Sequence, residues 1–235
     1  MESEFSKFQD FLKRVRKTYF NTLCAFYTYE ALEELKATNI LGQKKAEENV
    51  AIMNRFKNFF ATTQNATITE YLLGLAKILD NHRDDPISIP FLIKYARGHK
   101  EKFTKEEFEK FNKGRTLLDN LLKRYKIITD QDLDQIEKQL LEIEAQRKQI
   151  KDIRDKYLAH DDQIKPEIFI KNDEIIGVFN SIAEILDVFS QKTDFSTTSY
   201  DHVEEECKRD TKNILEYLKR FEPYRLKEIN NKYKL

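Results

Sequence analysis

At 235 residues the chain is long enough for one large domain with a sizeable core. Only 5 glycines and 4 prolines, against an abundance of Leu, Ile, Lys, Glu and Gln, argue against a turn-rich β protein and for an all-α one. The 41 Lys and Arg balance the 41 Asp and Glu, so net charge points to neither nucleic acid nor membrane, and any electropositive site must be local.

Phe5, Phe8, Leu12, Val15 and Tyr19 recur at alternating spacings of 3 and 4, one face of a helix that Leu23 and Phe26 continue. Gly42 closes this helix or a short extension of it. A polar helix over Lys44 to Phe60 follows, and TTQNAT reads as a break. Ile68, Tyr71, Leu72, Leu75 and Leu79 make the next stripe, with Thr67 as a candidate cap. DNHRDDPIS interrupts it, and a short apolar helix from Ile89 to Ala96 stops at Gly98. Thr104 and Glu107 match a capping box ahead of a helix carrying Phe108, Phe111, Leu118, Leu122 and Tyr125.

Thr129 then caps the longest predicted helix, about Asp130 to Ala159, with the stripe Leu133, Ile136, Leu140, Ile143, Ile150 and Tyr157. The next helix carries Ile175, Phe179, Ile182, Leu186 and Phe189, capped by Asn172 or Asp173. After the polar loop QKTDFSTTSY, a last helix carries Val203, Cys207, Ile214, Leu218 and Phe221. The expected architecture is one domain over residues 1–235, a bundle of antiparallel helices around one continuous core. Cys24 and Cys207 are too few for a disulfide framework and fit a reduced, cytoplasmic setting. The opening MESEF lacks a signal-peptide pattern, and no run of about twenty apolar residues could span a membrane.

The stretch IRDKYLAHDD, at the end of the longest helix, breaks the apolar pattern. Extending its stripe beyond Ile143 reaches Arg147, Ile150, Arg154 and Tyr157, so two arginines sit on an apolar line. A buried guanidinium needs a carboxylate, a cleft or an exit to solvent. His160 lies six residues after Arg154, about 120° away around a regular helix. The pair could still converge on one ligand at the helix end or across a dimer interface. The helix is also charge-polarised, with acids in its first half and Arg147, Lys148, Lys151, Arg154 and Lys156 in its second. That suits the helix dipole whatever the function, and it also gathers cations into a candidate phosphate-binding patch. The plain alternative is that Arg154 and His160 only satisfy the last carbonyls, with Asp161 and Asp162 starting a loop.

RDKYLAH resembles the R-x4-6-H signature of the HEPN superfamily, and R-D-K-x-x-A-H followed by Asp resembles its abortive-infection, AbiU-like branch. Upstream, LLGLAKILDNHRDDPISIPFLI is similar to that branch's helix ending in L-x-R-hydrophobic-hydrophobic-D, followed by a Ser-led short helix. The two pieces run in the family's order, over about Ile68 to Phe189. The resemblance implies an up-and-down helical bundle, here with additional N- and C-terminal helices, that dimerises with its motif helices facing each other. It implies, in active members, a metal-independent endoribonuclease without cofactor, acting in phage defence or a toxin–antitoxin system with an antitoxin or defence partner.

On that resemblance Arg154 is the motif arginine, Asp155 the polar residue that follows it, and His160 the motif histidine, with Asp161 next to it in support. An RNA 2′-OH can attack its own 3′-phosphodiester. His160 would move that proton or protonate the leaving oxygen, and Arg154 would hold the phosphate. Lys151 and Lys156 are candidate RNA-backbone contacts, or else solvated charges. Asp80, where the upstream pattern ends, is a candidate partner for Arg154, or else a solvated helix-end acid. Tyr157 suits the core better than base stacking. Some members carry a Tyr two residues after the histidine, modified by a nucleotidyltransferase; Asp162 stands there, so that control is not expected.

His82, His99 and His202 form no metal constellation, the glycines are isolated, and no nucleophile elbow is present. Two other readings remain, a catalytically silent HEPN module binding nucleic acid or a protein partner, and a purely structural helical protein. RNA cleavage without added metal separates the first reading from both.

Overall fold

The computed structural model describes residues 3–80, 86–155, 170–196 and 199–233. Among these the chain is all-α, a helical bundle with no strand. The helices are α1 (Glu4–Glu34), α2 (Thr38–Leu41), α3 (Gln43–Arg55), α4 (Lys57–Leu79), α5 (Ile89–Gly98), α6 (Lys105–Phe111), α7 (Leu118–Arg124), α8 (Asp130–Glu142), α9 (Glu144–Ile153), α10 (Asn172–Thr193) and α11 (Asp201–Tyr233). They group into two compact units, one of residues 1–22 and 72–199 and the other of 23–71 and 200–235.

The first unit is built on the α1 stripe. Phe5, Phe8, Leu12, Val15 and Tyr19 are all buried, as their spacing predicts. Phe8 meets Phe103 and Phe189 edge-on or tilted, with ring centroids 5.0 and 5.6 Å away. The Tyr19 hydroxyl donates to the Phe179 carbonyl at 3.1 Å, so α10 is held on the same face. Arg16 ties down the end of α10 through Asp194 at 3.0 Å. Helix α8 packs against α5 and α10, and α9 follows it along α10.

Gly74 lets α4 approach α1. A Cβ built there would lie 1.9 Å from Thr22 Oγ1 and 2.9 Å from Thr22 Cβ. Thr22 is fully buried and its hydroxyl donates to the Thr18 carbonyl at 2.7 Å, so it has little room to give way. Gly74→Ala gains about 1 kcal/mol of helix propensity but overpacks this contact at a cost of about 1–3 kcal/mol. The expected outcome is a lower melting temperature, partly restored by adding Thr22→Ala; an unchanged melting temperature in the single variant would contradict the packing argument.

Thr129 caps α8 as the sequence indicates. Its hydroxyl accepts from the Asp132 N–H at 3.2 Å, and its own N–H donates to the Asp132 carboxylate at 2.8 Å. Thr129→Ala should cost about 1 kcal/mol in urea unfolding, whereas Thr129→Ser should be near neutral. Equal losses in both would remove the cap as the cause.

Several boundaries differ from the sequence expectation. The predicted helix from Asp130 is interrupted at Ile143 (φ −104, ψ 15), which separates α8 from α9. A seven-residue apolar repeat drifts about 20° per heptad on a straight helix. The interruption resets the phase, and Ile143 and Ile150 both stay buried. TTQNAT is no break, since α4 runs through it and the true break is at Phe56. Thr67 is not a cap; its hydroxyl bonds back to the Thr63 and Gln64 carbonyls inside the helix. The stripe from Phe108 to Tyr125 is split into α6 and α7, around Gly114 and Leu117, both at positive φ. Helix α10 is capped by Lys171 rather than Asn172 or Asp173, with the Lys171 N–H donating to Glu174.

In the second unit, Leu32, Leu35, Ile52, Met53, Phe60 and Leu215 form the core. Asn49, fully buried, donates to the Leu35 carbonyl at 2.7 Å. Lys208 bridges Glu34 and Glu204 at 2.8 and 2.7 Å. Cys24 and Cys207 are free thiols; burial, then the neighbouring Cys207, pushes Cys24 up to about 12. The buried line of α11 is Val203, Thr211 and Leu215, while Ile214 and Phe221 are half exposed. Val203 and Leu218 of the expected stripe do face the core, but its mean spacing of about 3.5 residues drifts across a 3.6-residue helix and leaves Ile214 and Phe221 outside. No helix among the described residues is long and apolar enough to cross a membrane.

Candidate functional site

The site lies in the first unit, where the end of α9 meets the end of α4. Arg154 stands at the C-terminus of α9, and the winding widens to a π turn over Arg154 and Asp155. Its Nε donates to Asp155 at 2.7 Å, and its Nη1 donates to Asp80. Asp80 is the residue after the last of α4, and its side chain is only 14 % exposed, so it is not a solvated helix-end acid. Nη2 of Arg154 makes no hydrogen bond among the described residues. The Asp155 and Asp80 carboxylates raise the guanidinium pKa against the effect of burial, and Arg154 in turn holds the Asp155 carboxyl below its ordinary range.

Arg147, two turns before Arg154, resolves the other cation on the apolar line. Its side chain is 10 % exposed, with Nη1 on Glu144 at 2.7 Å and Nη2 on the Leu79 carbonyl at 3.0 Å. Leu79 ends α4, where carbonyls lack helical partners and a cation is favoured. A cleft of about 170 Å³ opens here, lined by Arg147, Lys148, Lys151, Arg154, Asp80 and Glu144 among others. Four cations against two lining carboxylates, with Asp155 a third on Arg154, leave it positive on balance in a chain with no net charge. A larger cavity of about 640 Å³ in the second unit holds none of the motif residues, so volume does not mark the site.

The structure thus brings Arg154, Asp155, Asp80 and Lys151 together. Lys156, Tyr157, His160 and Asp161 lie outside the described residues. Nothing in the sequence marks the Arg147 bond to Leu79, although the seven-residue spacing from Arg154 puts both arginines on one helix face. Among the described residues no group of three or more His, Cys, Asp or Glu could hold a metal ion. The chemistry open to this cleft is recognition of a phosphate or another anion by guanidinium and ammonium groups.

The model of the HEPN family described as AbiU2 matches residues 5–214. No curated protein and no solved structure matches the chain. The match takes in the N-terminal helices and most of the chain, well beyond the segment around the motif. The chain therefore belongs to the AbiU2 family of HEPN proteins.

Proposed function

We propose that the chain is a metal-independent endoribonuclease with an abortive-infection-related role, in phage defence or a toxin–antitoxin system. The observation that carries this reading is the motif arginine at the end of α9. Arg154 is held by two carboxylates in an electropositive cleft and keeps Nη2 for a phosphate oxygen. In the proposed reaction the RNA 2′-OH attacks the adjacent phosphorus, and the P–O5′ bond breaks to leave a 2′,3′-cyclic phosphate. His160 accepts or returns the proton, and Arg154 stabilises charge on the phosphoryl oxygens. The nucleophile belongs to the RNA, so no metal-bound water is needed. Lys151 and Lys156 contact neighbouring phosphates. A homodimer with facing motif helices would place two such sites in one basic cleft.

The test is incubation of purified wild-type and His160→Ala protein with total RNA in EDTA. Fragments from the wild type alone are expected. RNA bound but uncut by either protein would make the chain a silent binding module instead.

A further inference from the structure

We propose that Arg147 is a positioning residue for the motif arginine, an inference that rests on the ribonuclease reading. Arg147 and Arg154 lie two turns apart on one face of α9, about 10 Å along the axis. Both grip the end of α4, Arg147 through the Leu79 carbonyl at 3.0 Å and Arg154 through the Asp80 carboxylate. The Leu79 carbonyl belongs to the planar peptide that joins Leu79 to Asp80. Holding that oxygen therefore fixes the backbone from which the Asp80 side chain reaches Arg154.

The location fits this role better than a packing role. Arg147 interrupts an apolar line between Ile143 and Ile150, both buried, where an aliphatic side chain would fill the space without desolvating a charge. A guanidinium this buried needs well-placed partners, and Glu144 and the orphan carbonyl of α4 hold its two terminal nitrogens. Removing it would take away the hold of α9 on the Leu79 carbonyl and loosen the Leu79–Asp80 peptide. Arg154 would then keep Asp155, on its own helix, and lose its fixed contact across to α4.

The test uses the full chain carrying Arg147→Met, Arg147→Lys, Asp80→Asn, or Arg147→Met with Asp80→Asn, assayed on RNA in EDTA and melted in parallel. Arg147→Met is expected to lower kcat about 10–100-fold with little change in KM, as loss of a supporting group does. The double variant should fall within about two-fold of Asp80→Asn, because both substitutions act through one contact. Arg147→Lys, still able to donate to the carbonyl, should recover part of the loss. Losses that multiply in the double variant, or wild-type kcat in Arg147→Met, would overturn the proposal. Should the wild type cut no RNA, the ribonuclease reading fails by itself. The positioning role is then decided by the Arg154 Nε–Hε NMR signal, assigned with Arg154→Lys. Arg147→Met must shift that signal in the direction Asp80→Asn does, and an unmoved signal overturns it.

Discussion

Replacing His160 with alanine is expected to lower RNA cleavage about 10²–10⁴-fold, the usual contribution of a positioned general acid or base. The 2′-OH is a weak nucleophile until its proton is removed, and the 5′-oxygen is a poor leaving group until it is protonated. An imidazole can do either near neutral pH. The four described cations of the cleft are guanidinium and ammonium groups, which suit the role of clamps rather than of a proton carrier. Substrate binding should therefore survive in His160→Ala while turnover falls, so the loss should appear in kcat. A His160→Ala protein that melts like the wild type and cuts RNA at the same rate would remove the histidine from the mechanism.

Arg154→Lys is expected to reduce cleavage about 10²–10³-fold, comparable to the loss of an oxyanion donor elsewhere. Arg154 meets Asp155 through Nε and Asp80 through Nη1, and the third nitrogen has no hydrogen bond among the described residues. A lysine has one nitrogen for all three partners. It can pair with a carboxylate or with the phosphate, and it cannot present a planar fork. Near-normal activity in Arg154→Lys would reduce the arginine to a structural ion pair. Helix α9 also packs on α10 in the first unit, so the loss is expected without large unfolding, which parallel melting curves check.

Much of this arrangement was legible in the sequence because it is local. The α1 stripe and the Thr129 cap follow from spacing and residue type within a few turns, whereas Arg154, expected inside a helix running to about Ala159, follows directly on the last residue of α9. What escaped was set by distant partners. Arg147 is recognisable as a cation on an apolar line, but its acceptor is a backbone carbonyl 68 residues away, which carries no sequence signature. The pairing of Asp80 with Arg154 spans 74 residues and was suggested by the resemblance, while local physics left it open. The helix continues through TTQNAT because Thr67 satisfies its hydroxyl inside it and Gln64 bonds to Glu33. The helix breaks at Ile143 among residues that are mostly good helix formers, with Ile143 and Ile150 both buried, so local propensity did not mark the break.

The most direct measurement of the central claim is the chemistry of the cut ends. Wild-type protein in EDTA is given an RNA it cuts, and the same oligonucleotide with a 2′-deoxy residue at the cut site. Attack by the RNA's own hydroxyl predicts a 2′,3′-cyclic phosphate on one fragment, a 5′-hydroxyl on the other, and no cutting of the deoxy substrate. A 5′-phosphate product, or cleavage of the deoxy substrate at the same bond, would contradict it.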